Sequence, residues 1–166
     1  KIQPAVAAPL DPGFCPAILF EKNYLAGAGR TEPLVIAVER ENGCVSRRTI
    51  AVAADDSAAT RRYVDRVIKF MLWSSGGWRL YAGGSERIGH FIAQTYSLSG
   101  ERAFDVKLME RVYERSFETV ICSAGEVPAA NEGSQPVGGH LSGCRIGFDL
   151  GASDYKLAAV KDGEAV

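Results

Sequence analysis

The sequence predicts an α/β fold, with α+β as the alternative, on three observations. Apolar strand-like runs on both sides of Asn42-Gly43 read as a β-hairpin. The stretch after it, DDSAATRRYVDRVIKFMLWSSGG, carries apolar residues at helical spacing. Short β-rich runs then alternate with two further helical patterns. The chain has 166 residues, 46% hydrophobic and 23% charged, which suffices for a buried core and is too apolar for disorder.

Taken in order, residues 1–33 are rich in Pro and Ala and read as an extended N-terminal segment. Residues 34–122 form an α/β module. Its first strand runs from Leu34 to Arg40, Asn42-Gly43 supplies positive φ at the turn, and Val45 to Ala53 returns. In the helix that follows, Asp56 or Ser57 is the cap. Tyr63, Val64, Val67, Ile68, Met71 and Leu72 form its core stripe, and Gly76-Gly77 end it. WRLYAGG is a short strand. SERIGHFIAQTYS is a second helix with Ser85 at its N-cap and Ile88, Phe91, Ile92 and Tyr96 turned inward. FDVKLMERVYERSF is a third, with Phe104, Leu108, Val112 and Tyr113 at core spacing. ETVICS is a further strand. Within this module the expected core includes Val35, Ile36, Leu80 and Ile88 besides the helix stripes. Residues 123–143 have the Pro, Gly and Asn content of a linker, and residues 144–166 form a terminal hairpin.

Composition narrows the function classes. A formal net charge of −1 gives no global attraction to nucleic acid or to an anionic membrane. No apolar run is long enough to span a bilayer. Cys15, Cys44, Cys122 and Cys144 are scattered singly, without zinc-ligand spacing, and read as reduced thiols in a cytoplasmic protein. His90 and His140 are too isolated to suggest a metal. The basic run on the first helix, Arg61, Arg62, Arg66 and Lys69, reads as a solvated face.

The terminal GCRIGFDLGASDYKLAAVKDGEAV carries the chemistry. Arg145 to Leu150 is a strand, Tyr155 to Val160 returns, and Asp162-Gly163 is a second tight turn. Gly151, Ala152 and Ser153 are small enough to let backbone N–H groups approach phosphate oxygens. Ser153 adds a hydroxyl and Lys156 a positive charge. Asp149 is placed to hold the waters of a Mg²⁺ ion beside a phosphate. On spacing alone, a plain hairpin remains the alternative.

The segment IGFDLGASDYKLAAVKDGE resembles the first phosphate motif of the ROK family of sugar kinases and regulators, in the hexokinase–actin-like ATPase superfamily. That pattern runs Asp, an aliphatic residue, Gly-Gly, Ser or Thr, two residues, then Lys or Arg. Asp149, Leu150, Gly151, Ser153 and Lys156 match it, and Ala152 stands where the second glycine is usual. Upstream stretches, FMLWSSGGWRLYAGGSERIGHFIAQTYS and GERAFDVKLMERVYE among them, are similar to the leading segment of a ROK-like group with an added N-terminal module. The resemblance implies an RNase H-like, actin-like partial fold and ATP with Mg²⁺ as cofactors. It implies Asp149, Gly151, Ala152, Ser153 and Lys156 as the phosphate site, and a sugar as the co-substrate. The family's catalytic Asp, second phosphate loop and zinc cysteines are not in these residues. The chain is therefore expected to be the front fragment of a longer protein, inactive by itself. The alternative is a non-catalytic regulator or sugar-binding protein whose N-terminal module serves packing or homodimerisation.

Three features of the module are weighed on the same terms. LVIAVERENGCVSRRTIAV is compared with the terminal hairpin as a degenerate copy, Glu39 falling near the place of Asp149; the alternative is an unrelated α+β unit. YAGGSERIG reads as an anion site at a helix N-terminus or as an ordinary strand-to-helix turn. Trp73 and Trp78 read as core residues, with sugar stacking as the alternative.

Overall fold

The apolar runs flanking Asn42-Gly43 do form a hairpin. Strands β1 (Thr31–Glu39) and β2 (Val45–Ala53) pair antiparallel from Thr31↔Ala53 to Glu39↔Val45. Asn42 and Gly43 both have positive φ, inside a single 3₁₀ turn over Glu41–Gly43. The computed structural model describes residues 2–55, 57–133 and 139–166. They fall into two units, 1–132 and 133–166.

In the first unit, helix α2 (Ala58–Ser75) follows the hairpin. The Ser57 hydroxyl accepts the Thr60 N–H at 3.2 Å, closing one of the open donors of the first turn; the other expected cap, Asp56, lies outside the described residues. Gly76 ends the helix at φ 71°, and Gly77 follows at φ 148°. Neither position accepts a side chain. A Cβ on Gly76 would lie 2.2 Å from the Tyr113 hydroxyl, and one on Gly77 would lie 2.2 Å from Val38 Cγ1. The close approach lets Trp78 N–H donate to the Glu39 carbonyl at 3.0 Å, which delivers β3 (Arg79–Gly83) alongside β1.

Helices α3 (Glu86–Thr95) and α4 (Ala103–Tyr113) then lead to β4 (Glu118–Cys122). The sheet order is β2-β1-β3-β4. It is mixed, since β3 and β4 run parallel and the other two pairs antiparallel. The fold is thus α/β in content, with helices and a sheet sharing one core. Leu34, Ile36 and Val38 of β1 are fully buried with Val64 and Ile68 of α2, Leu80 of β3, and Ile88 and Ile92 of α3. The opposite side of the sheet buries a smaller group, Val35, Ala37, Val45 and Val127. Val127 belongs to the stretch expected to open the linker. Farther along it, Asn131 exchanges two backbone hydrogen bonds with Val45 at 2.8 and 2.9 Å, on the outer side of β2. Residues 134–138 of that stretch lie outside the described residues.

Three sequence expectations are corrected. The N-terminal segment is not extended throughout: Ala17–Gly27 form helix α1, and β1 begins at Thr31. Phe20 and Tyr24, one turn apart, pack on the core, and the Tyr24 ring stacks on Tyr63 at 4.4 Å. Second, α4 is rotated from the expected phase. Phe104 and Val112 are exposed and Leu108 half-buried, whereas Asp105, Val106 and Met109 face inward. Asp105 turns inward because the Trp73 indole N–H donates to it at 2.6 Å. Third, Trp73 is half-exposed and stacks on Phe104 at 6.5 Å, so this pair forms a surface aromatic contact outside the core. Val67 is only partly buried.

Candidate functional site

In the second unit, β5 (Cys144–Leu150), β6 (Tyr155–Lys161) and β7 (Glu164–Ala165) form a three-stranded antiparallel sheet. The pairs Asp149↔Lys156 and Leu150↔Tyr155 close its first hairpin. Side chains alternate across a strand. One face therefore presents Ile146, Phe148, Leu150, Tyr155 and Leu157, all exposed. The other presents Arg145, Asp149 and Lys156 around the small residues Gly147 and Ala158. Asp162 and Gly163 both have positive φ and turn β6 into β7. The Asp162 carboxylate accepts the Gly143 N–H at 2.7 Å and ties the start of β5 to that turn.

The turn between β5 and β6 is built from Gly151, Ala152, Ser153 and Asp154. Gly151 N–H donates to the Asp154 carbonyl at 2.8 Å. A Cβ on Gly151 would lie 2.8 Å from Asp154 Oδ1 and 3.0 Å from the Asp154 carbonyl oxygen, so glycine is required for close approach. Asp154, which the sequence reading did not single out, is thus the residue that closes the loop. Its contribution is a backbone carbonyl, which its residue type does not announce. Ala152 is not among the described residues with positive φ, which are Asn42, Glu114 and Asp162 outside glycine. The backbone here does not demand a second glycine, and the alanine costs no strain.

Lys156 Nζ lies 3.6 Å from Asp149 Oδ2, and both side chains are 70% exposed. A pair so open to water contributes little stability. Its geometry is of more consequence: an acid and a base share one face, directly beside the turn. Among the described residues no hydrogen bond engages the Ser153 hydroxyl. The hairpin therefore offers one carboxylate, one ammonium and one free hydroxyl around a small-residue turn, with Gly151 N–H already spent internally. Among the described residues no group of three His, Cys, Asp or Glu side chains is placed to hold a metal ion.

The other candidates resolve differently. Glu39, compared above with Asp149, accepts from the Tyr81 hydroxyl at 2.8 Å and from Arg79 at 3.3 Å. Arg79 also donates to Glu118 at 2.8 Å. Burial, followed by the hydrogen bond to Glu39, raises the Tyr81 phenol above its usual range. At YAGGSERIG, Ser85 sits at the N-cap of α3 without a side-chain cap bond, and Glu86 fills the first turn. The Glu86 carboxylate, 3.5 Å from His90, already supplies the negative charge that this helix end favours. Trp78 is buried beneath Arg79 and Arg115, whose guanidinium groups stand 4.1 and 5.1 Å from its ring, and is closed to sugar stacking. None of the four cysteines forms a disulfide, and among the described residues no helix is long and apolar enough to cross a membrane.

Compared with protein-family models, with curated proteins and with solved structures, the chain finds no match.

Proposed function

We propose that residues 144–166 are the first phosphate-binding hairpin of a cytoplasmic ROK-type, ATP-dependent sugar-kinase-like protein. In this reading the preceding module is a degenerate actin-like subdomain. The observation that carries the reading is the Asp149–Lys156 cross-strand pair, open to solvent beside the Gly151–Asp154 turn. The donor set suits a magnesium nucleotide. Asp149 would hold waters of the ion, Lys156 and the Ser153 hydroxyl would reach phosphate oxygens, and the turn amides of Ala152 and Ser153 would complete the cradle. Bound there, the nucleotide would supply the phosphoryl group. The hairpin's own contribution is positioning and charge neutralisation, which dominate phosphoryl transfer.

The test is a titration of the isotope-labelled chain with MgATP, followed by amide chemical shifts. Shifts confined to residues 149–156, absent in Asp149→Ala and Lys156→Ala, are expected. Identical shifts in wild type and both variants would remove the reading.

A further inference from the structure

The geometry points to a second ligand site, in the first unit: a groove where α1 meets α2 beside the edge strand β2, suited to a short amphipathic carboxylate. The cavity measures about 280 Å³. That is about nine times the ~30 Å³ that one molecule occupies in liquid water.

Its walls are apolar. Phe20 and Tyr63 stack at 6.4 Å and form the inner side. Val67, half-buried, and Phe70, 61% exposed, continue the wall to the mouth about one turn apart on α2. This continuous strip of hydrocarbon is what the core leaves uncovered, and a pocket of this kind takes an alkyl or aryl body.

Three charged groups line the same cavity, and their states differ. The Glu21 carboxylate accepts the Tyr63 hydroxyl at 2.8 Å. Arg66 lies over the Phe20 ring at 4.6 Å and donates to the Cys15 carbonyl at 2.9 Å. Arg48 stands opposite Ile36 on β2, and among the described residues no ion pair or hydrogen bond engages its guanidinium. Two guanidinium groups against one carboxylate leave the lining net positive, and Arg62 adds a third guanidinium 5.7 Å from the Phe20 ring. A net positive lining favours a carboxylate head group, with Arg48 offering the planar fork such a group fills. An amine would face Arg48. The apolar walls and the Arg48 guanidinium, unpaired among the described residues, thus select together for an apolar carboxylate.

The experiment is calorimetric titration of the full chain with octanoate, octanol and octylammonium. Octanoate should bind saturably, octanol at least about tenfold more weakly, and octylammonium not at all. Arg48→Gln, a change on an exposed strand position, should lose about tenfold for octanoate and nothing for octanol. Val67→Trp, with its fold checked by circular dichroism, should fill the groove and abolish both. Asp149→Ala should leave octanoate binding untouched, which separates this site from the phosphate hairpin. The proposal is overturned if octanol binds as tightly as octanoate, if Arg48→Gln leaves octanoate affinity unchanged, or if octanoate shows no saturable binding.

Discussion

Trp73 donates its indole N–H to Asp105 at 2.6 Å, and Asp105 is 3% exposed. The bond joins the last turns of α2 to the first turn of α4 and holds a carboxylate inside the core. Trp73→Phe keeps an aromatic ring but leaves that buried carboxylate without this donor. A loss of roughly 1.5–3 kcal/mol is expected in urea denaturation. Phe104→Ala, at an exposed position stacked on the same tryptophan, should cost less than about 1 kcal/mol. Equal losses would show that the stack, rather than the hydrogen bond, fixes α4.

The glycine pair after α2 gives a sharper contrast. Gly77→Ala places a methyl group against Val38 and the Glu39 carbonyl at a φ of 148°. It should destabilise by about 1–3 kcal/mol or more. Gly125→Ala, where no atom lies within 4 Å of the new Cβ, should be neutral. A neutral Gly77→Ala would mean that β3 does not approach β1 as described.

Core substitutions should follow the observed faces. Ile68→Ala and Ile92→Ala, both at fully buried positions, should each cost roughly 2–5 kcal/mol. Val112→Ala, at an exposed position of α4, should stay within about 0.5 kcal/mol. Thermal melts of the three variants check the assignment directly.

Alkaline pH should unfold the first unit early. Tyr96 is held neutral well above the ordinary phenol range, first by burial and then by the Asp65 charge beside its hydroxyl. Tyr63 is raised by burial and by its hydrogen bond to Glu21. A folded pKa above the unfolded value of about 10 gives stability that is complete below that pH and is lost as the pH rises through the folded value. The urea midpoint should therefore fall above pH ~10, and Tyr96→Phe should flatten the fall. An unchanged slope in that variant would exclude Tyr96 as a source.

The chain alone should release no ADP from MgATP with any of a panel of hexoses, since on the proposed reading it carries one phosphate hairpin and no catalytic base. A coupled assay with turnover clearly above the enzyme-free control would contradict this.

Local signals account for what the sequence made legible. β2 was readable to its ends because the apolar residues Val45, Ile50 and Val52 follow a positive-φ turn. The α2 stripe was readable because Tyr63, Val64, Ile68, Met71 and Leu72 recur at helical spacing and are buried. The phase of α4 was not, because it depends on a partner distant in sequence. Phe104 is the more apolar side chain, yet Trp73 captures it on the surface and draws Asp105 inward. Helix α1 was hidden by the surrounding Pro and Ala. Its readable trace was Phe20 and Tyr24, four residues apart, but their stacking partner Tyr63 is supplied by another helix. The hairpin at Asp149 was legible in register and turn. Closure by Asp154 was not, since it depends on a backbone carbonyl.

The exposure of nearly every side chain on β5 and β6 has a calorimetric consequence. Heat capacity change on unfolding scales with the apolar surface newly exposed to water, and this hairpin has almost none left to expose. A scanning trace of the chain will therefore be, almost entirely, a trace of residues 1–132. Loss of structure around Asp149 would pass beneath it as baseline, and an unshifted melting temperature in an Asp149 variant would carry no information about the hairpin. Amide exchange at Gly147, Lys156 and Ala158, which belong to the hydrogen-bonded pairs of the β5–β6 ladder, is the thermometer suited to that part of the molecule, because it reports opening free energy bond by bond.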